Sequence, residues 1–220
     1  MKKLVLLFAA LLVAGCGEKS LSDSAIKKAL KEAVEYESLQ ERNDLYYQVN
    51  ESEPYSGWAK RMYESGQAKG LARFKDGKQD GLQTSWHENG QKKGEVTWKD
   101  GELYGPYTSW HENGQKQAEA IHKDGEKDGL STEWHENGQK SVEATYKDGE
   151  EHGPFRGWHE NGQKAVEATM KDGNPDGLWT SWHENGQKQA EVIWKDGELV
   201  SKKFWNSKGE EVETAEEAEK

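Results

Sequence analysis

Five histidines, His87, His111, His135, His159 and His183, recur in steps of 24 residues, each preceded by tryptophan and followed by Glu-Asn-Gly-Gln-Lys. An imidazole beside a carboxylate is the raw material of metal sites and of general acid–base pairs, so the motif raises the prospect of an array of reactive centres. Spacing argues against it. Ligand atoms around one zinc ion lie roughly 3–4 Å apart, whereas equivalent residues two strands apart in a sheet are separated by about 9.6 Å. The acids that recur with the same step, Glu95, Glu119, Glu143, Glu167 and Glu191, read as partners of Lys93, Lys99 and their neighbours in cross-strand pairs. Catalysis needs one asymmetric constellation with distinct roles, and these side chains recur in nearly identical surroundings. The chain also lacks a Gly-x-Ser-x-Gly elbow, a phosphate loop and a His-Glu-x-x-His signature. The sequence therefore predicts no catalytic residue, no metal ligand, no cofactor and no small-molecule substrate; its histidines read as side chains on a solvated face, just ahead of a turn.

The elements that carry the motif follow from its period. Trp-His-Glu-Asn-Gly-Gln-Lys begins at Trp86, Trp110, Trp134, Trp158 and Trp182, and Lys-Asp-Gly recurs between the copies at Lys75, Lys99, Lys123, Lys147, Lys171 and Lys195. The pairs Asn89-Gly90, Asn113-Gly114, Asn137-Gly138, Asn161-Gly162 and Asn185-Gly186 are strong hairpin signals, because both residue types tolerate positive φ. Asp-Gly supplies the second turn of each unit. The intervals between turns suit strands and are too short for stable helices. The predicted fold is mainly β: an elongated single-layer antiparallel meander of 24-residue hairpin repeats, spanning residues 44–209, with a short N-terminal helix. A three-residue loop, Glu88-Asn89-Gly90, would set Trp86 opposite Lys92 and Leu82 opposite Val96. Leu82, Thr84, Trp86, Gly94, Val96 and Trp98 would then share one face, and Gln83, Ser85, His87, Lys93, Glu95 and Thr97 the other. Lys92, lying between Trp86 and Trp110, would pack its stem on both indoles.

The flanks differ in character. Residues 1–15 read as a cleavable leader, with Lys2 and Lys3 ahead of the apolar run Leu4–Val13, which is too short for a membrane-spanning helix. Residues 16–43 read as a tether and an amphipathic helix with Ile26, Ala29, Leu30, Ala33 and Val34 on one face, either capping the array or serving as a free spacer. The segment Asp44–Asn50 reads as a first strand, and residues 210–220 as an acidic disordered tail. With 41 acidic against 30 basic side chains and a net charge of −11, no nucleic-acid partner and no anionic lipid surface is expected.

Two resemblances add to this reading. Val13-Ala14-Gly15-Cys16 is similar to the lipobox of bacterial lipoproteins, which implies lipidation at Cys16 with diacylglyceryl and acyl (palmitate-type) chains, and a cell-envelope location with the outer membrane favoured over the inner. The units themselves, through Trp86, Asn89, Gly90, Asp100, Gly101 and Gly105 and their equivalents, resemble MORN repeats, and more closely the bacterial MORN-variant form. That resemblance implies an elongated β-sheet used as an interaction surface, in a family whose bacterial members are often labelled antitoxin components. The expectation is a membrane-anchored, non-enzymatic scaffold that binds another protein or a second copy of itself. The alternatives are an antitoxin or immunity protein that masks a toxin, and a peptidoglycan-binding surface. Tyr107, Phe155 and Trp179, on the face opposite the repeated tryptophans, are the candidate contact residues.

Overall fold

The computed structural model describes residues 20–219, so the expected leader, Cys16 and Lys220 lie outside the described residues. The chain begins with α1 (Asp23–Glu32), followed by β1 (Val34–Glu35), a 3-10 turn (Tyr36–Ser38), β2 (Leu39–Arg42) and β3 (Leu45–Gln48). The array then runs through β4 (Gly57–Met62), β5 (Ala68–Lys75), β6 (Lys78–Trp86), β7 (Lys92–Lys99), β8 (Glu102–Trp110) and β9 (Lys116–Lys123). Its next strands are β10 (Glu126–Lys127), β11 (Gly129–Trp134), β12 (Lys140–Lys147), β13 (Glu150–Trp158) and β14 (Lys164–Lys171). The last are β15 (Asn174–Pro175), β16 (Gly177–Trp182), β17 (Lys188–Lys195), β18 (Glu198–Trp205) and β19 (Glu211–Val212), and a final turn of helix, α2 (Ala215–Ala218), follows. Within the array, consecutive strands pair antiparallel in a single sheet; β10 with β11, and β15 with β16, act as two pieces of one strand.

Both turn types are local consequences of sequence. His87 N–H donates to the Gln91 carbonyl at 2.8 Å and Gly90 N–H to the His87 carbonyl at 2.9 Å, which closes a three-residue loop with Gly90 at φ +83°. In the other turn Asp100 and Gly101 sit at φ +52° and +90°, so both central residues are left-handed and the strands leave with the right twist. Trp86 faces Lys92 as the loop length requires.

One residue later the expected register fails. Ser85 pairs with Gly94, leaving Lys93 as an extra residue, a β-bulge that every copy of the motif repeats. Leu82 therefore faces Thr97 instead of Val96, and the second strand is flipped relative to the expected arrangement. One face carries Leu82, Thr84, Trp86, Lys92, Glu95 and Thr97; the opposite face carries Gln83, Ser85, Gly94, Val96 and Trp98. The hydrogen bond from Trp98 Nε1 to Gln83 Oε1, at 2.7 Å, fixes this assignment. The Trp86-type indoles do line up on one side, here called the indole face, but Trp98 lies on the other.

The N-terminal segment covers both faces of the first unit. Ser22 caps α1 by accepting from Ala25 N–H at 3.3 Å, and Ile26, Ala29 and Ala33 bury against Leu71 and Trp86 on the indole face. The helix ends before Val34, which was expected on its apolar face: Ala33 is extended, and Val34 joins β1, paired in parallel with Ala59 of β4. Tyr36, Leu39, Tyr46 and Tyr55 then cover Phe74 and Ala72 on the opposite face. The expected first strand, β3, pairs only with β2, in a separate two-stranded sheet. At the far end the tail is ordered, contrary to expectation: Val212 pairs with Phe204, and Ala218 is buried.

A helix can dock on the first unit because that unit departs from the repeat. Ala68 and Leu71 stand where the other units have Lys92 and Glu95 or their equivalents. Leu71, 2% exposed, is the centre of the contact. Leu71→Ala is expected to cost about 2–4 kcal/mol of local stability. Hydrogen exchange should show α1 and β5 losing protection while β12–β17 keep theirs, because contacts in a repeat array are nearest-neighbour.

Candidate functional site

The histidines are a ladder between units. His87 Nε2 lies 2.8 Å from the Trp110 carbonyl, and His111, His135, His159 and His183 reach Trp134, Trp158, Trp182 and Trp205 at 2.8–2.9 Å. A carbonyl oxygen only accepts, so Nε2 carries the proton in every copy and offers no lone pair to a metal ion. In the degenerate first unit Tyr63 stands in the histidine register and donates its hydroxyl to the Trp86 carbonyl at 2.8 Å. A phenol has no metal-site geometry in common with imidazole here; what the two share is a donor at that height. The histidine does not lie on a solvated face, as its place before the turn suggested: the His87 side chain is 12% exposed. Among the described residues no cluster of three or more His, Cys, Asp or Glu is placed to hold a metal ion.

Asparagine adds a second rung. Asn89 Oδ1 accepts from Gln91 N–H at 2.9 Å within its own turn, and its Nδ2 donates to the Glu112 carbonyl of the next unit at 3.0 Å. Asn113, Asn137, Asn161 and Asn185 repeat both bonds. Gly114 packs under Gln91 of the preceding turn, where a Cβ would come 2.9 Å from its Oε1, so glycine serves this corner both by its φ and by its lack of side chain. Trp, Asn and Gly of the motif are thus joints of the array.

Over each indole sits a lysine of the preceding unit. Lys92, Lys116, Lys140, Lys164 and Lys188 hold their ammonium groups 5.2–5.8 Å from the ring centres of Trp110, Trp134, Trp158, Trp182 and Trp205. The same lysines pair with the glutamates three residues on, Lys92 with Glu95 at 2.6 Å and Lys164 with Glu167 at 2.8 Å. The acids' partners are therefore these lysines, on the indole face, and not Lys93 or Lys99; the bulge is what brings them to one side. Only Trp86, under α1, is buried; the other motif indoles are half-buried.

One unit breaks the pattern usefully. Arg156 occupies a position filled by Thr84, Thr108, Thr132 and Thr180 in other units, and it bridges Glu143 at 3.3 Å and Glu167 at 3.2 Å. The Lys140 ammonium holds the Glu143 carboxyl below its ordinary value, with Arg156 adding and burial opposing. Lys164 and then Arg156 do the same for Glu167.

The opposite face holds the candidate contact aromatics, and they are less available than expected. Phe155 and Trp179 stack on each other, 5.9 Å between centres and 22° between planes, leaning together over Ala168. Tyr107 meets His122 edge-on at 5.9 Å. Burial, with Lys127 beside it, pushes the His122 imidazole below its ordinary value. All three contact residues are half-buried. Four open aliphatics lie on the indole face instead: Ile121 at 51%, Leu130 at 54%, Leu178 at 52% and Ile193 at 42% exposure, with Leu178 directly opposite Ile193. Sequence reasoning put the leucine position on this side, through Leu82, and missed Ile121 and Ile193, whose strands the bulge turns over.

A family model described as MORN repeat variant matches residues 79–100, 103–124, 127–148, 151–172 and 175–196. No curated protein matches the chain. The five matched segments each run from one Asp-Gly turn to the next and contain one complete histidine–asparagine joint.

His135→Phe removes one rung and leaves the Trp158 carbonyl unmatched, which should cost about 1 kcal/mol in urea denaturation. Adding the same change at the distant His183 should give a nearly additive loss. For Arg156→Gln the pH sign follows from the depressed carboxyls. Their contribution is present above the unfolded value, near the 4.5 of an ordinary glutamate, and is lost as pH falls through the lower folded values. Wild type should therefore exceed R156Q in melting temperature at pH 7, and the two curves should converge as the pH falls well below the range in which an ordinary glutamate titrates.

Proposed function

Because the chain belongs to the MORN repeat variant family, we propose that it is a lipid-anchored, non-enzymatic repeat scaffold of the bacterial cell envelope that binds another protein. The observation that carries this reading is the open row Ile121, Leu130, Leu178 and Ile193 on a sheet without a second layer. Scattered exposed aliphatics are ordinary, but these gather on neighbouring strands in two places, Ile121 with Leu130 and Leu178 with Ile193, beside the line of half-buried indoles, with which they make an apolar strip. Protein interfaces favour such aromatic and aliphatic surface over isolated charge. The joint chemistry supports the non-enzymatic part: histidines and asparagines that look reactive in sequence are engaged in holding one unit to the next.

Anchoring rests on Cys16 and the residues before it, which lie outside the described residues. No described helix is long and apolar enough to cross a membrane, so attachment in this reading is by lipid, through two or more chains. The outer membrane is the favoured site, because Gly17 follows the cysteine.

Both halves of the reading can be measured. Wild-type chain should fractionate with membranes, and Cys16→Ala should release it to the aqueous phase; equal distribution of the two would end the anchoring claim. A photo-crosslinking residue at Leu130 or Leu178 should give a discrete protein adduct in envelope preparations, while one at Asp148, in a turn, should not. Adducts at none of these positions, or at all of them equally, would remove the strip as a binding surface.

A further inference from the structure

The two ends of the sheet are finished differently. The edge of β4 is met by β1, with α1 on one face and the β2–β3 hairpin on the other. At the far end β19 meets β18 only through Phe204↔Val212 and Trp205↔Glu211. Among the described residues no strand pairs with the outer edge of Glu198–Lys203. The α2 turn contacts β17 as well as β18, so it packs over a face and leaves that edge clear. Leu199 and Val200, at 49% and 60% exposure, are on this stretch.

Side-chain direction along the edge is set by its pairing with β17. Lys203 and Ser201 lie opposite Glu191 and Ile193, on the indole face; Lys202 and Leu199 lie opposite Val192 and Trp194, on the other. Val200 is an extra residue between Leu199 and Ser201, and Glu198, one residue before Leu199, returns to the indole face.

We propose that this edge is a self-association site, at which β18 of a second copy of this chain pairs antiparallel about a two-fold axis normal to the sheet. Glu198 then lies opposite Lys203 of the other copy, Leu199 opposite Lys202, and Val200 opposite Ser201. The stretch Glu-Leu-Val-Ser-Lys-Lys is complementary to its own reverse, with acid at one end and base at the other. Faces also agree: Glu198 and Lys203 both belong to the indole face, Leu199 and Lys202 both to the opposite one. A strand without an acid at that place would leave Lys203 unpaired, which is how exposed edges resist promiscuous pairing. Lys203 is 60% exposed and only 3.7 Å from an equally open Glu211, so it is free to change partner. The contact is isologous: both edges are consumed in one event, giving a closed dimer with a single continuous sheet and both indole faces on one side. This inference rests on the scaffold reading and names a second copy as one of its partners.

Sedimentation equilibrium of the full chain in detergent tests it. Wild type should dimerise with increasing concentration. Glu198→Lys and Lys203→Glu should each weaken the dimer about tenfold or more, since each places like charges in two symmetric pairs. The double swap E198K/K203E should restore it to within about threefold of wild type. Hydrogen exchange on unmodified protein should show amides 198–203 gaining protection as concentration rises. A wild type that stays monomeric, a dimer indifferent to the charge changes, or protection appearing elsewhere would each overturn the proposal. Adducts at Leu130 and Leu178 from a monomeric wild type would leave the scaffold reading standing and sink only the edge contact; a charge-sensitive dimer without those adducts would do the reverse.

Discussion

A sheet one layer thick has nothing to pack against except itself, so each unit must be held by the next along the direction of strand stacking. The hydrogen bond from the motif histidine to the tryptophan carbonyl of the following unit meets that need. It satisfies a backbone acceptor at the corner where the chain leaves the strand, and it does so at the point where the indole and its lysine cover are also placed. The asparagine bond to the next glutamate carbonyl and the glutamine over the next glycine complete the same corner. Each term is of order 1 kcal/mol, but they recur with the period of the array, and stability in such a system is a sum over neighbours. This explains why so little apolar surface suffices: hydrophobic residues are only 32% of the chain.

The bulge after each Asn-Gly loop is the second element of the design. It sets Lys92 and Glu95, and their equivalents, on the indole face, where the lysine serves ring and carboxylate together. It sends Val96 and Trp98 to the other side, where small residues such as Ala120, Ala144 and Ala168 lie beneath Tyr107, Phe155 and Trp179. The two faces therefore have different chemistry: one is a strip of indoles, ion pairs and open aliphatics, the other a shallow aromatic layer packed on alanine. A binding role for the first follows more directly than for the second.

The ends show how a repeat is closed. At the N-terminal end the unit is edited, with Ala68 and Leu71 in place of the lysine and glutamate, and α1 lies where the ion pair would be. At the C-terminal end Trp205 arrives one residue early, and Val200 is the extra residue where β18 pairs with β17. The same ladder ends there, with His183 on the Trp205 carbonyl and Asn206 turning the chain back onto the tail.

The repeat, its two turns, the three-residue loop and the mainly β fold are legible in the sequence, because Asn-Gly and Asp-Gly act through local backbone preferences that need no distant partner. The histidines' structural role is legible only in the negative, from the impossibility of shared ligation across two strands. Their acceptor is not, since it lies 23 residues away along the chain and becomes adjacent only when two units stack. The bulge is equally hidden: one extra residue has no compositional mark, yet it decides the face of every side chain after it, and so misplaced Trp98, Glu95 and the exposed Ile121 and Ile193. The order of the acidic tail and the separate β2–β3 hairpin likewise depend on contacts with Phe204 and Phe74 that composition does not announce. Local dihedral preference wrote the repeat; only the packing of one unit on the next decided what each side chain faces.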